Sequence, residues 1–348
     1  MANIFCCGFD WPGAVTADIP LIFASSSGSL SGSGRFGNCW SNNVYEVMLS
    51  KTFASSGTWV IGFAYKRTIG FPSSSQVVCT WNDTATEHGF LLLDSLGRLS
   101  FFRTGTTNSQ LAISTNSLVL NTWYYIEIKF TIADSPSGVY EVRVNGSSTG
   151  WIPRGTGDTR NGANASVNII KIWSGYTSAG SYTYIDDIYI CDGTDGTATQ
   201  GAPNNDFKGD VRVDSYAPVG NGTNSHWVGS DGDSTDNYAL VSDGNVVTYV
   251  AAPYTTSETI DTYVMADVLA GTIPLMTQVN TRAKKSDAGS CALYPYVLSS
   301  GSVYTGVQVS VGITDSIYME IIDKDPNSGL AWTDSTLNAA EFGIDRGS

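Results

Sequence analysis

The stretch that decides the fold is residues 123–132, WYYIEIKFTI, which has the pattern of one half-buried β-strand. Every even-numbered residue from 124 to 130 is aromatic or aliphatic, whereas Glu127 and Lys129 stand among the odd-numbered ones. Side chains point alternately to the two faces of a strand, so a period of two predicts one apolar face and one polar face. Residue 123 itself, a tryptophan, is expected in the core.

Short β runs surround this strand on both sides. Residues 139–144 lead into Asn145-Gly146, the dipeptide typical of a two-residue hairpin turn. Residues 1–192 contain no helical pattern of 12 residues, so they predict an antiparallel two-sheet sandwich or jelly roll within an all-β protein. The other predicted strands are 4–9, 45–49, 58–65, 76–81, 90–94, 98–103, 167–173 and 182–191.

A second region follows a segment rich in turn-forming residues. Residues 193–205 lack apolar periodicity and are expected to be a linker. Residues 206–348 predict a second, smaller β-sandwich-like domain, expected to serve for attachment. Residues 335–342 are the one helix expected in that domain, capped by Ser335 or by Asp334. Its predicted strands are 246–250, 262–268, 274–283, 290–298, 305–311 and 318–322.

Charge and hydropathy exclude several classes of partner. The chain has 18 Lys and Arg against 32 Asp and Glu, a net charge of −14, which disfavours nucleic acid and anionic membrane as partners. No apolar run approaches the ~18 residues that a membrane-spanning helix needs. The first residues, MANIFCC, lack the basic segment of a secretion signal, so we expect synthesis in a cytoplasm.

Three segments of the first region resemble the concanavalin A-like, laminin-G-like jelly-roll family. Residues 121–130 are similar to that family's strand that begins at a tryptophan, and residues 138–146 to its hairpin that ends in Asn-Gly. Residues 184–190, YIDDIYI, resemble its closing strand with paired aspartates. The resemblance covers about half of the chain and implies the same sandwich that the strand pattern predicts.

Segments of the second region resemble modules of tailed-bacteriophage structural proteins, in which the same jelly roll often comes first. The similar segments are residues 205–213, 283–289, 325–333 and 337–343. The resemblance implies a component of the virion, made in the host cytoplasm and released by lysis, with other virion proteins of the capsid or tail as partners. Such a component is expected to form a homo-oligomer.

Two functions follow as expectations, and an enzyme is a third, less favoured one. The first is a non-enzymatic structural protein that decorates or reinforces the head, collar or tail through repeated interfaces. The alternative is a receptor-binding fibre or spike lectin that binds a host surface glycan. Glycosidases of the concanavalin A-like class carry Glu-x-Asp-x-x-Glu on one strand, and no glutamate of this chain has aspartate two positions later.

Candidate site residues are few, and none is predicted to be catalytic. Aromatic side chains near strand ends suit carbohydrate binding, and the candidates are Trp40, Trp81, Trp151 and Trp173; packing in the core is the alternative for each. Three carboxylates crowded into one loop, Asp231, Asp233 and Asp236, predict a solvated acidic turn or a weak calcium site. No other cofactor is expected.

Two further expectations concern the ends of the first region. If its first and last strands pair, Cys6 or Cys7 approaches Cys191, which would permit a late disulfide outside the reducing cytoplasm. Buried free thiols are the alternative. For Asp186 and Asp187 we expect one carboxylate to turn inward and accept backbone hydrogen bonds, with a calcium or polar-ligand contact as the alternative.

Overall fold

A computed structural model describes residues 5–71, 75–174, 181–194, 204–244, 247–252 and 259–347. The chain divides into two compact units. Unit 1 comprises Met1–Asp10, Val15–Thr197 and Ala202–Val213, and unit 2 comprises Trp11–Ala14, Ala198–Gly201 and Asp214–Ser348. No helix of the described residues is both long and apolar enough to cross a membrane.

Unit 1 consists almost entirely of strands, with one short 3-10 turn (Thr16–Asp18) and one helical turn, α1 (Ile19–Ile22). Its strands are β1 (Phe5–Cys7), β2 (Ser25–Ser26), β3 (Ser29–Ser31), β4 (Cys39–Asn42), β5 (Val47–Ser56), β6 (Thr58–Arg67), β7 (Gln76–Asp83), β8 (Thr86–Leu93), β9 (Leu99–Arg103), β10 (Ser109–Ile113), β11 (Tyr124–Thr131), β12 (Gly138–Val144), β13 (Ser147–Gly157), β14 (Val167–Trp173) and β15 (Thr183–Cys191).

The strands of unit 1 form two antiparallel sheets, which confirms the predicted jelly-roll sandwich. Sheet A has the order β13-β12-β11-β6-β15-β4-β3, with β1 also paired to β15. Sheet B has the order β10-β9-β8-β7-β14-β5-β2. The deciding strand, β11, lies within sheet A between β12 and β6. The predicted Asn-Gly turn joins β12 to β13, with φ of 50° at Asn145 and 77° at Gly146, as a type I′ hairpin requires.

Aromatic side chains from both sheets fill the space between them. Trp81 of sheet B stacks on Phe130 of sheet A with ring centroids 4.5 Å apart. Phe101 of sheet B lies 5.2 Å from Tyr140 of sheet A in the same way. Since a buried aromatic ring removes 150–250 Å² from water, these contacts dominate the stability of the sandwich.

Unit 2 is built around one antiparallel sheet of order β16-β19-β25-β21-β22, with β23 also paired to β21. Two-stranded sheets pair β17 with β18 and β20 with β24. Its elements are β16 (Pro218–Ser225), β17 (Val228–Gly229), α2 (Asn237–Ser242), β18 (Val250–Ala251), β19 (Ile260–Met265), β20 (Gln278–Ala283), β21 (Ala292–Ser299), β22 (Ser302–Thr305), β23 (Val309–Ser310), β24 (Ser316–Ile321), α3 (Asp334–Asn338) and β25 (Glu341–Asp345).

Two boundaries differ from the sequence-based expectation. Residues 206–213, assigned to the second domain, belong to unit 1, because their backbone and Phe207 bind the side chains of sheet A. Of the expected linker 193–205, residues 195–203 lie outside the described residues. The helix expected over 335–342 is only α3, since residues 341–345 pair with β19 and β21, and Thr333 rather than Asp334 or Ser335 caps it. The helix α2 was not expected.

Candidate functional site

The outer face of sheet A carries the most polar side chains of the sandwich. Because directly opposed residues of antiparallel strands point to the same side, the register defines rows across β11, β6 and β15. Glu127 is opposite Gly62, which is opposite Tyr189. One row further along, Tyr125, Ala64 and Asp186 are aligned in the same way. These residues define the covered half of the outer face.

Residues 206–213, here called the strap, close the covered half without forming a strand. The N–H of Gly209 donates to Glu127 Oε1 at 2.8 Å, and the N–H of Lys208 donates to the Tyr189 hydroxyl oxygen at 3.1 Å. The Tyr189 hydroxyl itself donates to Glu127 Oε1 at 2.6 Å. Glu127 is 0% exposed, and its Oε2 has no hydrogen-bond partner among the residues that the structure describes. The strap therefore seals a carboxylate and a phenol away from solvent.

Arg35 holds the far end of the strap. Its Nη1 donates to the carbonyl oxygen of Val211 at 3.1 Å and pairs with Asp187 Oδ2 at 3.5 Å, while its Nη2 pairs with Asp210. The N–H of Val213 donates to Asp187 Oδ1 at 2.8 Å. The backbone of the strap is thus held by hydrogen bonds to side chains of sheet A and of Arg35, and not by pairing with a strand.

Asp186 and Asp187 are both buried and accept backbone hydrogen bonds, as predicted, but their carboxylates meet Arg35 on the outer face of sheet A instead of turning into the core. Asp186 Oδ2 accepts from the N–H of Arg35 and its Oδ1 from the N–H of Asp187, both at 2.8 Å. A register shift between residues 186 and 189 lets the neighbouring carboxylates of Asp186 and Asp187 both contact Arg35. Their role is structural.

Burial and neighbouring negative charge raise the pKa values of the acids in the covered half. Burial, and next the charge of Asp187, raise the pKa of Asp186 to about 8. Burial raises the pKa of Glu127 as well, although hydrogen bonds from Tyr189 and Gly209 oppose it. Burial therefore favours the protonated, neutral form of the Asp186 carboxyl group.

The open half of the same face lies beyond the end of the strap and consists of Lys66, Trp123, Tyr182 and Tyr184. Tyr184 is opposite Lys66 in the register, and Trp123 directly precedes β11. The Lys66 Nζ lies 4.6 Å from the ring centroid of Trp123 and 4.7 Å from that of Tyr184. The Tyr182 ring follows at 6.0 Å from the Tyr184 ring and is 38% exposed. Three aromatic rings and one ammonium group thus form a continuous surface.

A polar groove adjoins the open half at Tyr182. Its cavity volume is about 340 Å³. Glu46 Oε1 accepts from the hydroxyl of Ser27 and from Asn42 Nδ2, the latter at 3.3 Å. Tyr182 is fixed by Thr68, whose hydroxyl oxygen accepts the Tyr182 N–H at 2.9 Å. The groove, lined by Ser27, Gly28, Ser29, Ser41, Asn42, Asn43, Val44, Glu46 and Tyr182, offers hydroxyl, amide and carboxylate groups.

The four candidate tryptophans do not form this surface. Trp40 and Trp81 are 1% and 0% exposed and belong to the core, so they cannot stack on a ligand. Trp151, 9% exposed, packs edge-on against Tyr124, with ring centroids 6.4 Å apart. Trp173 is half-buried beside the exposed Tyr45 at 5.6 Å, on sheet B. The expectation that residue 123 lies in the core is wrong, since this tryptophan is half-buried on the open half.

The open half could have been predicted in part from the alternation of residues 181–185, SYTYI. Thr183 and Ile185 are buried, whereas Tyr182 and Tyr184 share the outer face. Lys66 gives no such signal, because only the pairing of β6 with both β11 and β15 brings it close to Trp123 and Tyr184.

The acidic loop of unit 2 brings its three carboxylates together. Asp231, Asp233 and Asp236 are all exposed, and each offers an oxygen within 4.8 Å of the others. Asp233 Oδ1 accepts from the N–H of Thr235 at 2.8 Å, a contact of ordinary turns. Weak calcium binding at this loop stays a prediction.

The six cysteines are free thiols in this structure, and the late disulfide of Cys191 with Cys6 or Cys7 stays a prediction. β1 does pair with β15, but the register places Cys6 opposite Tyr189 and Cys7 opposite Ile188, so neither is opposite Cys191. Burial raises the pKa of the Cys191 and Cys6 thiols, both to about 12. Thiols in this state are poor nucleophiles.

Comparison with known proteins gives likeness of fold only. No protein-family model matches, and no curated protein matches. Among solved structures, an endo-β-1,4-glucuronan lyase from Trichoderma reesei is 8% identical, with a TM-score of 0.40, covering 54% of this chain and 94% of that one. A PL-14 alginate lyase from Aplysia kurodai is 10% identical, with a TM-score of 0.37 and coverage of 54% and 90%. A carbohydrate-binding module, CBM66 from Bacillus subtilis, is 9% identical, with a TM-score of 0.30 and coverage of 47% and 90%.

Proposed function

We propose that unit 1 binds carbohydrate through the open half and the groove, without cleaving it. The observation that carries this proposal is the position of Tyr182, which is exposed and belongs both to the aromatic row and to the groove. This is the glycan-binding alternative among the sequence-based expectations, relocated from the four tryptophans to a different set of side chains.

The chemistry of a sugar suits such a surface. A pyranose ring presents C–H groups on its faces and hydroxyl groups around its rim. An exposed tyrosine offers an apolar ring with a polar tip, and binding sites combine such rings with a few fixed polar groups. Asn42 and Glu46 supply those groups in the groove, and their mutual hydrogen bond holds them in place.

The covered half supports no competing reaction. Its carboxylates and phenols converge, but Glu127, Tyr125 and Tyr189 are each at most 1% exposed. A polysaccharide cannot reach them while the strap is in place, so binding without turnover is the expected behaviour.

Substitution of Tyr182 tests the proposal. We expect the full chain to bind members of a panel of neutral and acidic oligosaccharides, and Tyr182→Ala to weaken that binding about tenfold, equivalent to ~1.4 kcal/mol. Tyr249→Ala, which removes an exposed tyrosine of unit 2, is the matched control and should bind like the unsubstituted protein. Equal affinities of the two variants would contradict the proposed site, and release of new reducing ends from a polysaccharide would contradict binding without turnover.

We also propose that unit 2 attaches the chain to a larger assembly, the virion component expected from the resemblance. The observation that favours this function is the exposure of large apolar side chains in unit 2, among them Leu269 (77%), Leu330 (70%) and Ile273 (65%). Single exposed apolar residues are ordinary, but several at such exposure favour a surface that is covered on assembly.

Light scattering across a concentration series tests attachment through self-association. We expect the chain to form oligomers, and Leu269→Ser with Ile273→Ser to shift it towards the monomer. The matched control is Leu96→Ser, which replaces a leucine of unit 1 that is 62% exposed. A monomer at every concentration would contradict the expected homo-oligomer.

A further inference from the structure

Lys66 is a cation without a carboxylate partner at the centre of the open half. Among the described residues, the ion pairs on sheet A involve Arg35, Lys129 and Arg143, and Lys66 takes part in none. Its Nζ donates to the carbonyl oxygen of Ser33 at 3.2 Å, which uses one of the three ammonium hydrogens. The other two hydrogens serve contacts with aromatic rings and a ligand.

Aromatic rings fix the position of this ammonium group. The ring centroids of Trp123 and Tyr184 lie 4.6 and 4.7 Å from it, and the two rings are 6.4 Å apart in an edge-on arrangement, so the ammonium group rests against both rings. Contact of a cation with ring faces is attractive and restrains a side chain that would otherwise be mobile. A donor that is already in place loses less entropy when a ligand binds.

The acidic background of the chain does not cancel this local charge. The net charge is −14, but at physiological ionic strength the Debye length is about 8 Å, so distant carboxylates are screened at the surface. At contact distance a carboxylate that reaches Lys66 gains a charge-assisted hydrogen bond, which is roughly twice as strong as a neutral one.

We propose that the ligand of the open half is an acidic saccharide. Its carboxylate binds Lys66, its ring packs on Tyr182, and its hydroxyl groups extend into the groove towards Asn42 and Glu46. The carboxylate of Glu46 accepts hydrogen bonds from hydroxyls and repels a second acid, so the two ends of the site differ in charge preference. This inference rests on the proposed function and specifies the class of sugar.

Two pairs of saccharides that differ in acidic groups test the inference. β-1,4-Glucuronan tetrasaccharide and cellotetraose differ only at C6, which is a carboxylate in one and a hydroxymethyl group in the other. Sialyllactose and lactose differ by one sialic acid, and this pair separates sialic acids from uronic acids as the source of the carboxylate. Calorimetric titration of the full chain should show one acidic member binding at least about tenfold more tightly than its neutral counterpart.

Variants of Lys66 connect this preference to the ammonium group. Lys66→Gln should reduce the preference to within about twofold, whereas Lys66→Arg should retain most of it. Lys171→Gln, which replaces a half-buried lysine on sheet B, is the matched control and should keep the full preference. Thermal unfolding of each variant verifies that the fold is intact.

Equal binding of acidic and neutral partners, or an undiminished preference in Lys66→Gln, would overturn the inference. Absence of binding by all four saccharides would also overturn it. The Tyr182→Ala comparison on the wider panel decides the proposed function separately, because it does not depend on a carboxylate. A neutral glycan whose binding is lost in Tyr182→Ala would leave carbohydrate binding intact and only the acidic class wrong.

Discussion

The two halves of the outer face of sheet A lie on the same strands and yet differ in their exposure to solvent. In the covered half, backbone N–H groups of the strap bind Tyr189 and Glu127, and both side chains are withdrawn from solvent. In the open half, aromatic rings and Lys66 remain accessible next to a polar groove. The difference teaches that a strongly shifted pKa need not mark a binding site, because the groups with shifted pKa values in the covered half are sealed from any ligand.

The largest expected contrast is between two tyrosines of β15. Tyr189→Ala removes a buried ring and leaves Glu127 without its hydroxyl donor, so we expect it to lower the free energy of unfolding by about 3–5 kcal/mol. Tyr184→Ala, on the same strand and face, should lower it by about 1 kcal/mol or less. Urea unfolding measures both, and similar losses for the two variants would remove the distinction between the halves.

The next effect is a pH dependence of stability that comes from Asp186. Its pKa is about 8 in the folded protein against an ordinary value of 3.8, so between these values the folded chain holds a proton that the unfolded chain has lost. Stability therefore falls as the pH rises through this window, on the order of a few kcal/mol between pH 5 and pH 8.

Asp186→Asn isolates that dependence, because the amide is neutral at every pH. The free energy of unfolding of Asp186→Asn, minus that of the unsubstituted protein, should increase as the pH is raised from 5 to 8. Taking the difference removes other titrations, including that of His88, whose pKa is lowered by burial. A difference that does not change with pH would show that the carboxylate is ionised beneath the strap.

The smallest effect concerns the ion pair at the edge of the strap. Lys129 Nζ lies 3.4 Å from Asp206 Oδ1, and the Asp206 side chain is 52% exposed. Pairs of this kind contribute about 0.2–1 kcal/mol, so Lys129→Gln should be nearly neutral in urea unfolding. A loss of several kcal/mol would mean that the exposed charges hold the strap, rather than its buried hydrogen bonds.

Local sequence patterns predict the sandwich well, because each pattern depends only on the residues of one strand or one hairpin. The alternation of residues 123–132 and the Asn145-Gly146 turn each give a strand or hairpin that the structure contains. The end of unit 1 at Val213 could not be predicted in this way, since residues 206–213 have no strand pattern. Their place depends on Glu127 and Tyr189, which are far away in the sequence.

The candidate site is harder to predict from the sequence than the fold, for a related reason. Trp40 and Trp81 lie in short strands whose pattern does not distinguish a core tryptophan from a surface one, and both proved to be buried. The open half joins Lys66, Trp123 and Tyr184 from three segments, and only strand pairing reveals it. The alternation around Tyr182 was the one local signal available.

Hydrogen exchange of the full chain, with and without the oligosaccharide that binds most tightly, tests the division of the outer face most directly. We predict slower exchange at residues 27–29, 41–46 and 182–184, which form the groove and the open half, and unchanged exchange at residues 206–213. Slower or faster exchange in residues 206–213, with none at 182–184, would contradict the account, because the ligand would then be acting at the half that the strap covers.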